Sequence, residues 1–379
     1  MRWSIYLAAI LALAFAWIPS TRAGIYNPRE TEHLYPLPAT FKQFQLTLSD
    51  LRGLVVAGST NPWIQGYQQR FEELRAAESA GNLSLGDRIE LGACYLRMPT
   101  PNKEGANKPP AIVPENAIRV LEPALAAEPH NFMVLANLAT AHLASGSLER
   151  ALNYESLALA AWPDSHPGFT ADQLRWYRRA EKFFQFLLML RARENERGPR
   201  TDEKKPDALF GAVDWSLGED EYRAGKISPA QWAELPGDAI PIVEQLIFWL
   251  PFDNRLYWLL GELFNAKGDV RSAATILDDL VDDNKRKEQS RILRQHWRIV
   301  REAADALGEE TTEKTENVAA APVTAAPSDK APASWLPDPR AIAVGFVAGV
   351  VVTVLAGLQL REIRRRREQR AGSPSPGAG

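Results

Sequence analysis

Residues 131–164, NFMVLANLATAHLASGSLERALNYESLALAAWPD, decide how the rest of the chain is read. Leu135, Leu138, Ala139 and His142 fall at i, i+3, i+4 and i+7, on one face of a first helix. Gly146 stops that helix, where a left-handed backbone costs glycine little. Ala151, Leu152, Leu157, Ala158 and Ala161 continue the apolar face on a second helix, which Pro163 ends. The spacing then recurs: Ala117 and Ala151 are 34 residues apart, as are Pro129 and Pro163, and again Ala239 and Ala273.

Upstream, Leu91-Gly92-Ala93-Cys94-Tyr95 stands 47 residues before the Leu138-Ala139 pair. The 13 residues beyond one period are taken up by a polar insert at residues 99–114, PTPNKEGANKPPAIVP. Downstream, Tyr257-x2-Leu260-Gly261-x2-Phe264 is followed by Ala273-x3-Leu277. These residues resemble the tetratricopeptide repeat, W-x2-L-G-x2-Y, then A-x3-F, then P over 34 residues. In residues 131–164, Leu135 stands for the Trp, Leu138-Ala139 for Leu-Gly and His142 for the Tyr, while Ala151 and Pro163 match outright. Glu155 departs from the pattern, standing where an aromatic is expected. The resemblance covers about four units, clearest over residues 84–164 and 237–283. It implies an all-α solenoid of helix-turn-helix repeats over residues 61–307.

Other segments follow from local pattern. Residues 24–60 read as an irregular N-terminal segment broken by Pro28, Pro36 and Pro38. Phe44, Leu46 and Leu48 alternate as in a strand, whereas Leu51, Leu54 and Val55 suit a short helix, and the pattern does not choose. Trp63, Tyr67, Phe71, Leu74 and Ala77 line one helix face, which Gly81 ends. A long helix is predicted over residues 172–194, its Arg175, Arg178 and Arg179 forming a solvated edge. Residues 194–207, ENERGPRTDEKKPD, read as an exposed loop, and Ser228-Pro229 as a helix start. Ile292, Leu293, His296, Ile299 and Val300 give the last folded helix its apolar face, as a solenoid end requires.

The ends of the chain carry address signals. Residues 1–23, with Arg2, an apolar run over residues 7–17, Pro19 and then Thr21-Arg22-Ala23, read as a signal peptide cleaved before Gly24; an uncleaved anchor is the alternative. Residues 308–340 are Ala/Pro/Thr-rich and read as a disordered linker. Residues 341–360, AIAVGFVAGVVVTVLAGLQL, contain no charge in twenty residues and are expected to span a bilayer. The arginine-rich tail at residues 361–379 places the C-terminus in the cytoplasm and the N-terminal domain on the extracytoplasmic side. Ala341, Gly345, Gly349, Thr353 and Gly357 recur at every fourth residue, a stripe without bulk on which two spans could pair as a homodimer. Residues 1–23 carry +2 and residues 361–379 carry +4, so a net −3 leaves −9 between them. That acidic middle argues against a nucleic-acid partner.

No enzyme is expected. The five histidines make no metal-ligand pair, Asp164-Ser165-His166 is a turn rather than triad geometry, and no phosphate loop or cofactor motif occurs. His142 is expected in a packing position and Cys94, the sole cysteine, as a small buried residue. What the resemblance implies is binding: the first helix of each repeat lines a concave groove that takes peptides or partner helices. It assigns Arg255, Trp258, Glu262 and Asn265 to that groove in one repeat, and Met133, Ala136, Thr140 and Leu143 in another. The alternative is that they touch only neighbouring repeats. The Lys/Asn clamp that some members use for a C-terminal carboxylate is missing. The expected function is a membrane-anchored scaffold for protein assembly. Its rivals are a catalytic ectodomain with an unrecognised active site and a purely structural spacer.

Overall fold

The computed structural model describes residues 24–307, apart from 36, 57, 101–110, 197–204, 212, 214, 216–220 and 284–289. Among the described residues the elements are helical: α1 Pro28–Leu34, α2 Phe41–Gly53, α3 Pro62–Ser79, α4 Leu85–Arg97, α5 Pro114–Ala127, α6 Phe132–Ala144, α7 Leu148–Ala160, α8 Ala171–Glu196, α9 Pro229–Glu234, α10 Ala239–Trp249, α11 Asn254–Lys267, α12 Val270–Asp283 and α13 Arg291–Ala306. The one β-bridge described, Thr100 with Ala111, closes the base of the polar insert. No helix among the described residues is long and apolar enough to cross a membrane. Residues 1–23, the linker, residues 341–360 with the stripe from Ala341 to Gly357, and the tail all lie outside the described residues.

The helices begin and end where side chains satisfy their terminal backbone groups. Ser84 and Asp87 form a reciprocal capping box on α4, and Asn131 and Asp253 each accept two backbone N–H groups at the starts of α6 and α11. Ser228 caps α9 with Pro229 in its first turn, as the sequence predicts. Gly146 and Gly268 take φ of 78° and 90° just past α6 and α11, a conformation that would strain any residue with a Cβ.

Each repeat is a helix hairpin: α4 packs on α5, α6 on α7, and α11 on α12. Successive hairpins stack through α5 on α6, α7 on α8, and α12 on α13. This is the predicted all-α solenoid of tetratricopeptide-like hairpins. The small residues of the repeat are what let the helices close. Ala117, Ala151 and Ala273 are completely buried. A Cβ on Gly92 would lie 2.6 Å from two atoms of Leu121, and one on Gly261 would lie 2.9 Å from Leu277.

The N-terminal segment is more ordered than its prolines suggest. In α2, Phe44 and Leu48 are buried while Leu46 is 61% exposed. A strand would put all three on one face, so helical spacing decides the choice. Tyr67 and Arg97 hold α1 by its Glu30: the Tyr67 hydroxyl donates at 2.7 Å and the Arg97 guanidinium pairs at 2.6 Å, both fully inside the protein. A second buried arginine, Arg191 of α8, bridges Asp207 and Asp253 at 2.7 Å each, tying residue 207 to the start of α11.

Gly92→Ala should therefore destabilise the fold by roughly 1–3 kcal/mol, the usual effect of overpacking a tight core. Denaturant unfolding would read this, and adding Leu121→Val should recover part of the loss.

Candidate functional site

The groove face of α6 is occupied by the chain itself. Residues 24–27 belong to no helix, and their backbone polar groups need partners once buried. Asn137 supplies both kinds: its Oδ1 accepts from the Tyr26 N–H at 2.8 Å, and its Nδ2 donates to the Tyr26 carbonyl at 3.3 Å. Three residues on, Thr140 donates its hydroxyl to the Gly24 carbonyl at 3.2 Å. The Tyr26 ring enters an aromatic nest, edge-on to Phe132, Trp162 and Tyr177 with centroids 5.5, 6.0 and 5.9 Å away. Its hydroxyl donates to Glu181 Oε1 at 2.6 Å. Burial, then the neighbouring Glu181 charge, holds that hydroxyl well above its ordinary pKa. Of the groove residues predicted here, Ala136, Thr140 and Leu143 are buried and Met133 is half-buried. Asn137 was missed, although an amide in an otherwise apolar helix is a visible signal.

The second predicted groove is also closed. Trp258 is only 3% exposed and its Nε1 donates to Glu262 at 2.8 Å. Glu262 takes two further partners, the Tyr222 hydroxyl at 2.7 Å and His296 Nδ1 at 2.7 Å. Tyr222 and His296 stack at 3.6 Å over them. Asn265 repeats the asparagine grip, accepting from the Gly225 N–H at 2.6 Å and donating to the Arg223 carbonyl at 3.3 Å. Arg255 is held by Glu194 at 2.7 Å and Asp207 at 2.9 Å. The expectation that Arg255, Trp258, Glu262 and Asn265 present an open groove surface is thus corrected: residues 221–225 and α13 cover three of them, and ion pairs hold the fourth.

What stays open beside this cluster is a cleft of about 380 Å³ whose walls include Trp215, Tyr222, Lys226, Ser228, Gln231 and Asn265. Trp215 is 7% exposed and its Nε1 is buried with no hydrogen-bond acceptor. A buried donor left in that state is costly.

Residues weighed for chemistry in the sequence have quieter roles. His142 is buried, stacks on Tyr154 at 5.2 Å, and has its pKa pushed down by burial. Cys94 is buried and burial pushes its thiol pKa up. His166 Nδ1 accepts the Gly168 N–H at 3.1 Å, within a turn. No group of three or more His, Cys, Asp or Glu among the described residues could hold a metal ion.

The geometry defines a helical-repeat protein whose asparagines grip backbone from the inner face. Residues 114–166 match the family model of the tetratricopeptide repeat, spanning α5 to just beyond α7. With the helix hairpins stacked on either side of that match, the chain is a tetratricopeptide-repeat protein. No curated protein matches it.

Trp258 now belongs to the core. Trp258→Ala should cost about 3–5 kcal/mol, the usual range for deleting a buried aromatic, and lower the denaturation midpoint accordingly. An unchanged midpoint would return this residue to the surface.

Proposed function

We propose that this chain is an exported scaffold, tethered to a membrane by residues 341–360, that holds an extended segment of a partner protein in the cleft beside Tyr222. Tetratricopeptide repeats are typically non-catalytic interaction modules, which favours assembly over an unrecognised active site. One observation carries the binding part: Trp215, which lines the cleft together with the backbone-fixing Asn265, has a buried indole N–H without an acceptor. A peptide carbonyl accepting from Trp215 would complete the same kind of contact. The address rests on the sequence: the signal-like residues 1–23, twenty uncharged residues at 341–360, and the arginines that follow. The small-residue stripe at Ala341, Gly345, Gly349, Thr353 and Gly357 would bring two such spans together.

Photo-crosslinking residues placed at Lys226 and Gln231 in intact membranes should trap one and the same protein, and Trp215→Phe should weaken the capture. A probe at exposed Gln69 serves as the control. Equal capture from all three positions would sink the cleft as the binding site. Protease added outside sealed cells should remove residues 24–307 and spare the tail; full protection would reverse the orientation. In a membrane two-hybrid assay on residues 335–365, Gly345→Ile with Gly349→Ile should abolish self-association, and a signal that survives the pair rules out this packing face.

A further inference from the structure

Two acids in the first repeats are buried as a pair. Glu155 of α7 and Glu181 of α8 are completely buried and side by side. Both oxygens of Glu155 and Oε2 of Glu181 receive no donor from any other residue, so only a proton shared between the two carboxyls can bridge them. No ion pair to either acid occurs among the described residues. Elsewhere Glu30, Asp207 and Asp253 meet arginines, and Glu262 meets three donors. Burial raises the pKa of both carboxyls, that of Glu181 to about 7. Such a pair is kept neutral by a shared proton, and it is costly to ionise unless a cation joins it.

The group pressed against it is Gly24. This residue is buried, and a Cβ built on it would lie 2.8 Å from Glu181 Oε1 and 3.3 Å from Oε2. Its φ of +46° is also one that glycine tolerates best. From bond lengths alone, the Gly24 nitrogen then sits within roughly 5 Å of the Glu181 carboxylate. Gly24 is also the residue that follows the signal-like sequence ending in Thr21-Arg22-Ala23.

We propose that Glu155 and Glu181 are the binding site for the α-ammonium of Gly24, which forms when the bond between Ala23 and Gly24 is hydrolysed. In the uncut chain that nitrogen is a neutral amide with a single N–H. After hydrolysis Ala23 leaves with a carboxylate and Gly24 keeps an ammonium with three N–H donors and one positive charge. The shared proton is released to solvent, and three donors then meet three carboxylate oxygens that no other residue's donor reaches. The new ion pair locks residues 24–27 against Asn137 and Thr140, so the processed chain has the tighter fold.

The proposal rests on the leader reading above, and an experiment in vitro separates the two. Residues 24–379 are released from a removable N-terminal fusion so that Gly24 carries the free amine. The comparison chain starts one residue earlier, at Ala23, which moves the charge by about 3.8 Å. The Gly24 chain should melt several degrees higher and protect the Tyr26 amide from hydrogen exchange at least tenfold better. Its amine should react with an acylating reagent at least tenfold more slowly than in denaturant. Between the ordinary carboxylate range and about pH 7, the Ala23 chain should lose stability as pH rises, because its buried acids must ionise unpaired; the Gly24 chain should lose less. The titratable group that faces the pair is the Tyr26 hydroxyl, which donates to Glu181 and is neutral in this window. Glu155→Gln with Glu181→Gln should erase the difference between the two chains, even if it changes the stability of both. Equal stability and exchange of the unsubstituted chains would overturn the site while leaving the leader reading intact. A leader retained in cells would fail that reading without altering the difference measured in vitro.

Discussion

The structure depends on one constraint: buried backbone must find hydrogen-bond partners, and residues 24–27 have no helix to supply them. Asn137 meets that demand from within α6, giving an acceptor to the Tyr26 N–H and a donor to its carbonyl. Once the backbone is satisfied there, the Tyr26 ring can be buried among Phe132, Trp162 and Tyr177, and α1 follows into place with Glu30 on Arg97. Arg97 also reaches the Trp249 carbonyl at the end of α10, at 3.4 Å. The segment before α2 thus links helices α4, α6, α8 and α10, which the hairpin stacking alone would leave connected only through their neighbours.

The repeats were legible because their information is local. A 34-residue period, small residues at the helix crossings and glycines past the helix ends are all fixed by packing within one hairpin, so they show in a single window of sequence. The occupants of the inner face were not legible, for the opposite reason. Tyr26 meets Asn137 across 111 positions and Glu181 across 155, and no periodicity links such pairs. The register did place Trp258, Glu262 and Asn265 on the inner face. It did not reveal that Tyr222 and His296 would be stacked upon it. Glu155 lies between these cases: its departure from the motif is visible in the sequence, but its meaning appears only when Glu181 is beside it.

The two inner faces solve the same polar problem differently. At α11, Glu262 lies in the register of Thr140 of α6, and its carboxylate is fully engaged by Trp258, Tyr222 and His296. Nothing there calls for an added charge. In the first repeats the acids come from α7 and α8, and Glu181 of α8 reaches the Gly24 end of the segment with an oxygen to spare. Similar helices thus create one saturated polar cluster and one unsaturated one, according to which helix contributes the carboxylate.

The occupancy of these faces also determines where a partner can act. A segment of the same chain competes for the α6 face at an effective concentration of roughly millimolar, which an outside peptide of ordinary abundance does not match. Displacing α1 would also strand Arg97 or Glu30 as a buried charge, at a cost of about 3–5 kcal/mol, equivalent to a factor of roughly 10² to 10³ in affinity. The cleft beside Tyr222 carries no such penalty: the indole N–H of Trp215, one of its lining residues, is buried without an acceptor, and Asn265 has its backbone grip complete without the visitor. Under the proposed function, self-binding at α6 thus leaves the second repeat pair to a partner, which would add a hydrogen bond there rather than exchange one.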